Sequence, residues 1–167
     1  TRPLLDTSNV TDMSNMFGNC SNLQTIPLLN TSNVTNMYNM FENCYSLQTI
    51  PLLNTSNVTN MNRMFGGCSN LQTIPQIDTS NVTDMHNMFT GCSNLQTLPK
   101  FNCQKTKNMS MYFSYYTDDL SSLTDVGGWE NLSCDWNDSY GLASCPNLSH
   151  QSCINILNGL YDFVGNG

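Results

Sequence analysis

Leu4-Leu5-Asp6-Thr7-Ser8-Asn9-Val10-Thr11-Asp12-Met13-Ser14-Asn15-Met16-Phe17-Gly18-Asn19-Cys20-Ser21-Asn22-Leu23-Gln24-Thr25-Ile26-Pro27 returns three more times, as Leu28 to Pro51, Leu52 to Pro75 and Gln76 to Pro99, with no slippage in its 24-residue period. Such a unit cannot bury its own apolar side chains, because a single turn of chain has no second layer; stacked neighbours supply it. A fifth copy decays. Lys100 to Phe113 keeps Phe101, Met109 and Phe113, but Cys103 replaces the Thr, Thr106 replaces the Val, and Tyr116 stands in the Cys slot. The pattern predicts a solenoid whose short parallel strands are Leu23 to Ile26 and Val10 to Met13 with their copies. Pro27, Pro51, Pro75 and Pro99 end the first set, since a proline inside a ladder lacks its donor.

Comparing the copies separates inside from outside. Val10, Met13, Met16, Phe17, Leu23 and Ile26 stay apolar in all four complete copies, as does the position of Leu5, Leu29, Leu53, Ile77 and Phe101. These are the predicted core, with methionine as its adaptable filler. Position 4 runs Leu4, Leu28, Leu52, Gln76, Lys100, a series no buried site tolerates, so it is expected to face solvent beside Gln24 and Thr25. The Thr-Ser-Asn triplets read as corner residues that bond local backbone and one another as ladders. In the columns Asp6, Asn30, Asn54, Asp78 and Asp12, Asn36, Asn60, Asp84, carboxylates never occupy adjacent copies, which avoids like-charge repulsion.

Composition excludes several roles. Of 167 residues only 10% are charged, whereas Asn supplies 25 and Ser 18, so solubility rests on amides and hydroxyls. Five Lys or Arg against twelve Asp or Glu give a net charge of −7, too few cations to coat a phosphate backbone, so no nucleic acid is expected. Apolar runs of two or three residues predict no membrane insertion.

The chemistry-bearing residues are sparse. Cys20, Cys44, Cys68 and Cys92 recur inside the core pattern and read as a column of small buried thiols, since parallel stacked side chains make poor bridges. Cys103, Cys134, Cys145 and Cys153 have no period. A disulfide among the last three is the minority reading, and a zinc site from Cys134, Cys145, His150 and Cys153 lacks any paired Cys-x-x-Cys. His86 has no paired base and reads as a solvated histidine. Glu42 and Glu130 are far apart and no nucleophile, phosphate-loop or metalloprotease motif is present, so the expectation is no enzyme, no catalytic or metal-binding residues and no cofactor. The functional signal is where the copies differ. Ser14, Tyr38, Asn62, His86 and Ser110 form a stripe flanked by Asn39, Arg63 and Asn87, with Glu42 and Tyr45 nearby. Tyr38, Tyr45, Asn62, Arg63 and His86 are the candidate binding residues, weighed against simple surface drift. A flat strip of Leu4, Leu28 and Leu52 is a second candidate surface.

The repeated Asp/Asn-Thr-Ser-Asn-Val-Thr-x-Met-x-x-Met-Phe-x-x-Cys-x-x-Leu resembles the BspA-like leucine-rich repeat of bacterial surface proteins and of gut bacterial and phage proteins. The segment Leu123 to Leu132, then Cys145 to Ser152 and Ile154 to Asp162, resembles stretches that close such arrays. The resemblance implies an extracellular adhesion or recognition array without catalytic chemistry. Together these readings predict a β-rich solenoid of leucine-rich-repeat type, with four complete 24-residue coils, a degenerate fifth, short parallel strands and a short C-terminal capping helix. Residues 1–126 form the solenoid and 127–167 a capping segment with a helix at about 149–163, N-capped by Ser149 and packing Cys153, Ile156, Leu157, Leu160 and Tyr161. Thr1-Arg2-Pro3 starts in mid-repeat, so an open apolar edge is expected, with either further repeats upstream or self-association through that N-terminal coil. The expected role is a non-enzymatic binding and adhesion module presenting a repetitive face to host protein or glycan, at a cell surface or secreted. The alternative is a structural or receptor-binding segment of a phage fibre, in a virion. Asn-x-Ser/Thr sequons in every complete copy would crowd glycans on neighbouring coils, which points to a bacterial source.

Overall fold

The computed structural model describes residues 5–107, 122–130, 149–155 and 158. Within each repeat the chain turns twice at an Asp or Asn. Asp6, Asn30, Asn54 and Asp78 accept the amides of Ser8, Ser32, Ser56 and Ser80 at 2.9–3.1 Å. Asp12, Asn36, Asn60 and Asp84 accept those of Ser14, Tyr38, Asn62 and His86 at 2.7–3.1 Å. Both sets are side-chain mimics of a backbone turn, which is why the columns hold short acceptors and nothing longer. Two left-handed positions follow. Asn15, Asn39, Arg63 and Asn87 have φ of 52–56°, and the next such column holds Asn19, Asn43, Gly67 and Gly91 at 59–76°. Asn and Gly are the residues that reach this region at least cost.

Neighbouring repeats lie side by side and bond to each other. The Met13 amide donates to the Asn36 carbonyl, Met37 to Asn60 and Met61 to Asp84, at 2.9–3.0 Å, while Thr35 donates back to Thr11, Thr59 to Thr35 and Thr83 to Thr59 at 2.8 Å. Side chains tie the same seam. Thr7 Oγ1 donates to the Asn30 carbonyl and accepts the Asn30 amide, both at 2.9 Å. Asn33, Asn57 and Asn81 each donate Nδ2 to a serine carbonyl one repeat back at 2.7 Å.

These contacts do not make the expected fold. The β-rich leucine-rich-repeat solenoid of four complete coils with short parallel strands is overturned, because the described part of the chain is mostly turns and irregular backbone. Among the described residues the strands are two residues each: β1 Thr97–Leu98, β2 Phe101–Asn102, β3 Asp125–Val126 and β4 Trp129–Glu130. They form two parallel pairs, β1 with β3 and β2 with β4. The predicted Val10 to Met13 strands shrink to single parallel bridges linking Asp12, Asn36, Asn60 and Asp84, and the Leu23 to Ile26 set gives the bridge of Thr73 to Thr97 and, in its fourth copy, the two-residue β1. The physical reason is the density of turns. Asx turns and left-handed residues flank Val10 to Met13 and its copies too closely for a ladder to propagate, while along Leu23 to Ile26 the bonds between repeats are long, Gln48 to Gln24 at 3.3 Å and Gln72 to Gln48 at 3.4 Å, and Pro27, Pro51 and Pro75 follow at once.

The core is made of columns. Val34, Val58 and Val82, the two methionine columns from Met37 and Met40 onward, and Phe41, Phe65 and Phe89 are fully buried. Phe17, Phe41, Phe65 and Phe89 stack with centroids 5.5–5.6 Å apart and rings 3–8° from parallel. Phe101, from the neighbouring apolar position, lies against Phe89 at 6.3 Å, tilted by 43°. Each fully buried side chain of this kind contributes about 1.5–3 kcal/mol from apolar burial.

The short helix α1 is described over 150–155, with 158 also helical. Ser149 Oγ accepts the Ser152 amide at 3.1 Å, an N-cap. Its docking onto 122–130 is polar where it can be followed. The buried Ser152 hydroxyl donates to Asp125 Oδ1 at 2.7 Å and accepts the Val126 amide at 2.8 Å, and Asn155 Nδ2 donates to the Val126 carbonyl at 3.1 Å. Cys153, expected on the packed face, is exposed. The remaining expected face, Ile156, Leu157, Leu160 and Tyr161, lies outside the described side chains.

Candidate functional site

The variable stripe is positioned by the second Asx turn. Asp12, Asn36, Asn60 and Asp84 fix the amide two residues on, so Ser14, Tyr38, Asn62 and His86 occupy one column. Tyr38 is 37% exposed and Tyr45 49%. Arg63 is exposed and pairs through Nη1 with Glu42 Oε1 of the preceding repeat at 3.1 Å. These two depart from the repeat together, since Glu42 stands where the other copies hold Gly or Thr and Arg63 where they hold Asn.

Asn62 and His86 are only half-buried rather than open, because each is held within the column. Asn62 Nδ2 donates to Asp84 Oδ2 at 3.3 Å, and the His86 carbonyl accepts the Arg63 amide at 2.9 Å. Asn39 and Asn87, expected to flank the stripe at the surface, are instead 7% and 6% exposed. Asn87 Oδ1 accepts a hydrogen bond from Thr90 Oγ1 at 3.2 Å. Among the described residues neither Asn39 Oδ1 nor Asn62 Oδ1 has a hydrogen-bond partner. In the Asn39 repeat, Glu42 replaces the donor that Thr90 supplies to Asn87.

The second surface is an open, shallow groove of about 1300 Å³ that includes Leu28 and Leu52 of the expected strip, and Leu4 lies outside the described residues. Leu28 and Leu52 stand in it 75% and 64% exposed, with Leu5 at 61%. Its rim carries the first Asx-turn column, and Lys100 lies at the far end. Backbone and hydroxyl hydrogen bonds from Ser8 hold the Asp6 carboxyl below the ordinary aspartate range, and those from Ser80 do the same for Asp78. Both rim carboxylates are therefore charged at neutral pH. The exposed Leu28 and Leu52 belong to the strip that the sequence singled out as a second candidate surface.

The thiol column is chemically quiet. Cys44, Cys68 and Cys92 donate Sγ–H to the carbonyls of Phe17, Phe41 and Phe65 at 3.0–3.1 Å. Burial pushes the Cys44 thiol up to about 11 and the Cys68 thiol higher still, the reverse of an activated nucleophile. Among the described residues no three His, Cys, Asp or Glu side chains converge to hold a metal. Cys134 and Cys145, two members of the weighed zinc and disulfide sets, lie outside the described residues. No described helix is long and apolar enough to cross a membrane.

Stacked turn-rich repeats, with a variable stripe on their surface and a leucine-bearing groove, define the molecule as a repeat protein. The chain belongs to the family described as Mycoplasma protein of unknown function, DUF285, whose model matches residues 4–72 and 45–133. No curated protein and no solved structure matches it.

Proposed function

We propose that this chain is a non-enzymatic binding module of an extracellular surface protein, which presents Tyr38, Tyr45 and Arg63 to a host protein or glycan. The observation that carries the reading is the exposure of two tyrosines, 37% and 49%, beside the Arg63–Glu42 pair on a scaffold whose other aromatics in the complete repeats are interior phenylalanines. Tyrosine offers a broad apolar face and a polar tip at small entropic cost, which suits recognition of protein and sugar surfaces alike. The left-handed φ of 52° at Arg63 supports it, because an arginine held there carries backbone strain that the Asn copies avoid. The resemblance to BspA-like surface proteins, together with the family match, supports an extracellular setting. The Asn33, Asn57 and Asn81 amides, bonded to the repeat before, would have to break that seam to carry glycans, which fits a source that does not glycosylate them.

The test is a glycan and protein array screened with the wild-type chain and with Tyr38→Ala/Tyr45→Ala. Saturable binding that falls at least about tenfold in the double variant supports the reading. An array without saturable binding, or binding the variant reproduces, overturns it.

A further inference from the structure

Arg63 is the sole Lys or Arg between Leu4 and Pro99, and Glu42 is the sole Glu there. Arg63 belongs to the third repeat, yet its Nη1 lies 3.1 Å from Glu42 Oε1 in the second, the repeat that bears both exposed tyrosines. Tyr38 precedes Glu42 by four residues and Tyr45 follows it by three. The guanidinium is thereby held over the tyrosine face.

The way it is held leaves it open. Only Nη1 hydrogen-bonds to the carboxylate, the other guanidinium N–H groups bond to no described residue, and the side chain is 50% exposed. Glu42 fixes the fork without filling it. The planar donor edge that remains is the group that receives a carboxylate or a sulfate through paired hydrogen bonds. The fold gives no reason for the charge, since Asn stands at this position in the other three complete copies and escapes the strain that Arg63 carries at φ of 52°.

The surroundings choose what carries the anion. Asn43 adjoins Glu42 and Asn62 adjoins Arg63, both half-buried amides, and Asn43 Nδ2 donates to Asn19 Oδ1 at 3.0 Å in an exposed ladder. The exposed aliphatic side chains, Leu5, Leu28 and Leu52, line the groove instead. A protein partner is held mainly by apolar anchors in desolvated pockets. A sugar ring needs only an aromatic face to pack on and polar groups for its hydroxyls.

We propose, on the reading that this face is a binding site, that its ligand is an acidic glycan whose carboxylate or sulfate group is received by Arg63 while a sugar ring packs against the tyrosines. Glu42 is a positioning residue, which orients the guanidinium without touching the ligand.

An array of lactose and N-acetyllactosamine in matched neutral, sialylated and sulfated forms tests this with the full chain at about 150 mM salt. Wild type is expected to bind an acidic form at least about tenfold more tightly than its neutral parent, and the two acidic arms separate carboxylate from sulfate. Arg63→Asn, which restores the residue of the other copies, is expected to abolish that preference with a urea midpoint no lower than that of wild type. Tyr38→Ala/Tyr45→Ala is expected to weaken neutral and acidic forms alike. The proposal is overturned if the neutral parents bind as tightly as both acidic forms, or if Arg63→Asn keeps the preference. It also falls if saturable binding is confined to neutral glycans or to proteins, and the binding-module reading then stands without it. An array with no saturable binding removes both.

Discussion

The first repeat and the interior repeats share nearly one sequence and differ in what covers them. Leu5 is 61% exposed, whereas its counterparts Leu29, Leu53 and Ile77 are 4%, 2% and 1% exposed. Val10 and Phe17 are half-buried where Val34 and Phe41 are fully so, and Cys20 is exposed where Cys44 is buried. The comparison separates two contributions usually seen together. Asx turns and left-handed positions form in all four complete repeats, because they depend on a few consecutive residues. Burial depends on a neighbour on each side.

Thiol reactivity should expose this difference most strongly. At pH 8, iodoacetamide is expected to alkylate the exposed Cys20 on the order of a thousandfold faster than Cys68, because Cys68 must first open the stack and its thiolate is suppressed by burial. Peptide mass spectrometry over time measures both. Similar rates at the two sites would mean that the interior repeats are not closed.

The next difference is energetic. Phe65→Ala removes a ring sandwiched between Phe41 and Phe89 and is expected to cost about 3–5 kcal/mol. Phe17→Ala, at a half-buried ring, is expected to cost roughly half as much. Urea denaturation gives both values, and equal losses would sink the idea that covering, not residue type, sets the contribution. A backbone pair sharpens the local side of the comparison. Gly67 has φ of +76°, and a Cβ there would sit 2.6 Å from Asn43 Oδ1, whereas the neighbouring Gly66 would meet nothing closer than 3.4 Å. Gly67→Ala is expected to destabilise by about 1–3 kcal/mol and Gly66→Ala by less than about 0.5 kcal/mol. Reversal of that order would remove the left-handed account of the Asn/Gly column.

Burial was legible because four copies act as four trials of each position: those that never accept a polar residue, such as Val34, Met37 and Phe41, are the buried ones. The backbone path was misread. Asn19, Asn43, Gly67 and Gly91 announce a left-handed residue, since few other residues alternate there, yet Val10 to Met13 and Leu23 to Ile26 were expected as strands. The tyrosines were visible as departures from the repeat. The half-burial of Asn62 and His86 was not, because it arises from column contacts such as Asn62 to Asp84, 22 residues away. The leucine strip was visible as position 4, which changes from Leu28 and Leu52 to Gln76 and Lys100.

The smallest effect concerns the one pair in which an interior repeat leaves the shared pattern. Arg63 holds φ of 52° where Asn15, Asn39 and Asn87 hold 55–56°, and a long side chain in that region costs about 1 kcal/mol or more that Asn largely escapes. Its ion pair with Glu42 offsets part of this, but the Arg63 side chain is 50% exposed, and such pairs contribute about 0.2–1 kcal/mol. Arg63→Asn should therefore be neutral to stabilising by about 0.5 kcal/mol. Glu42→Thr tests the other half, since a hydroxyl at that position gives the buried Asn39 Oδ1 the donor that Thr90 gives Asn87. With Arg63→Asn already in place, Glu42→Thr no longer sacrifices an ion pair and is expected to add about 0.5–1.5 kcal/mol. If the double variant proves less stable than wild type by more than about 1 kcal/mol, the Arg63–Glu42 pair is a structural element of the stack. If it is more stable but loses array binding, the strain at Arg63 is maintained by what the surface recognises rather than by what the fold requires.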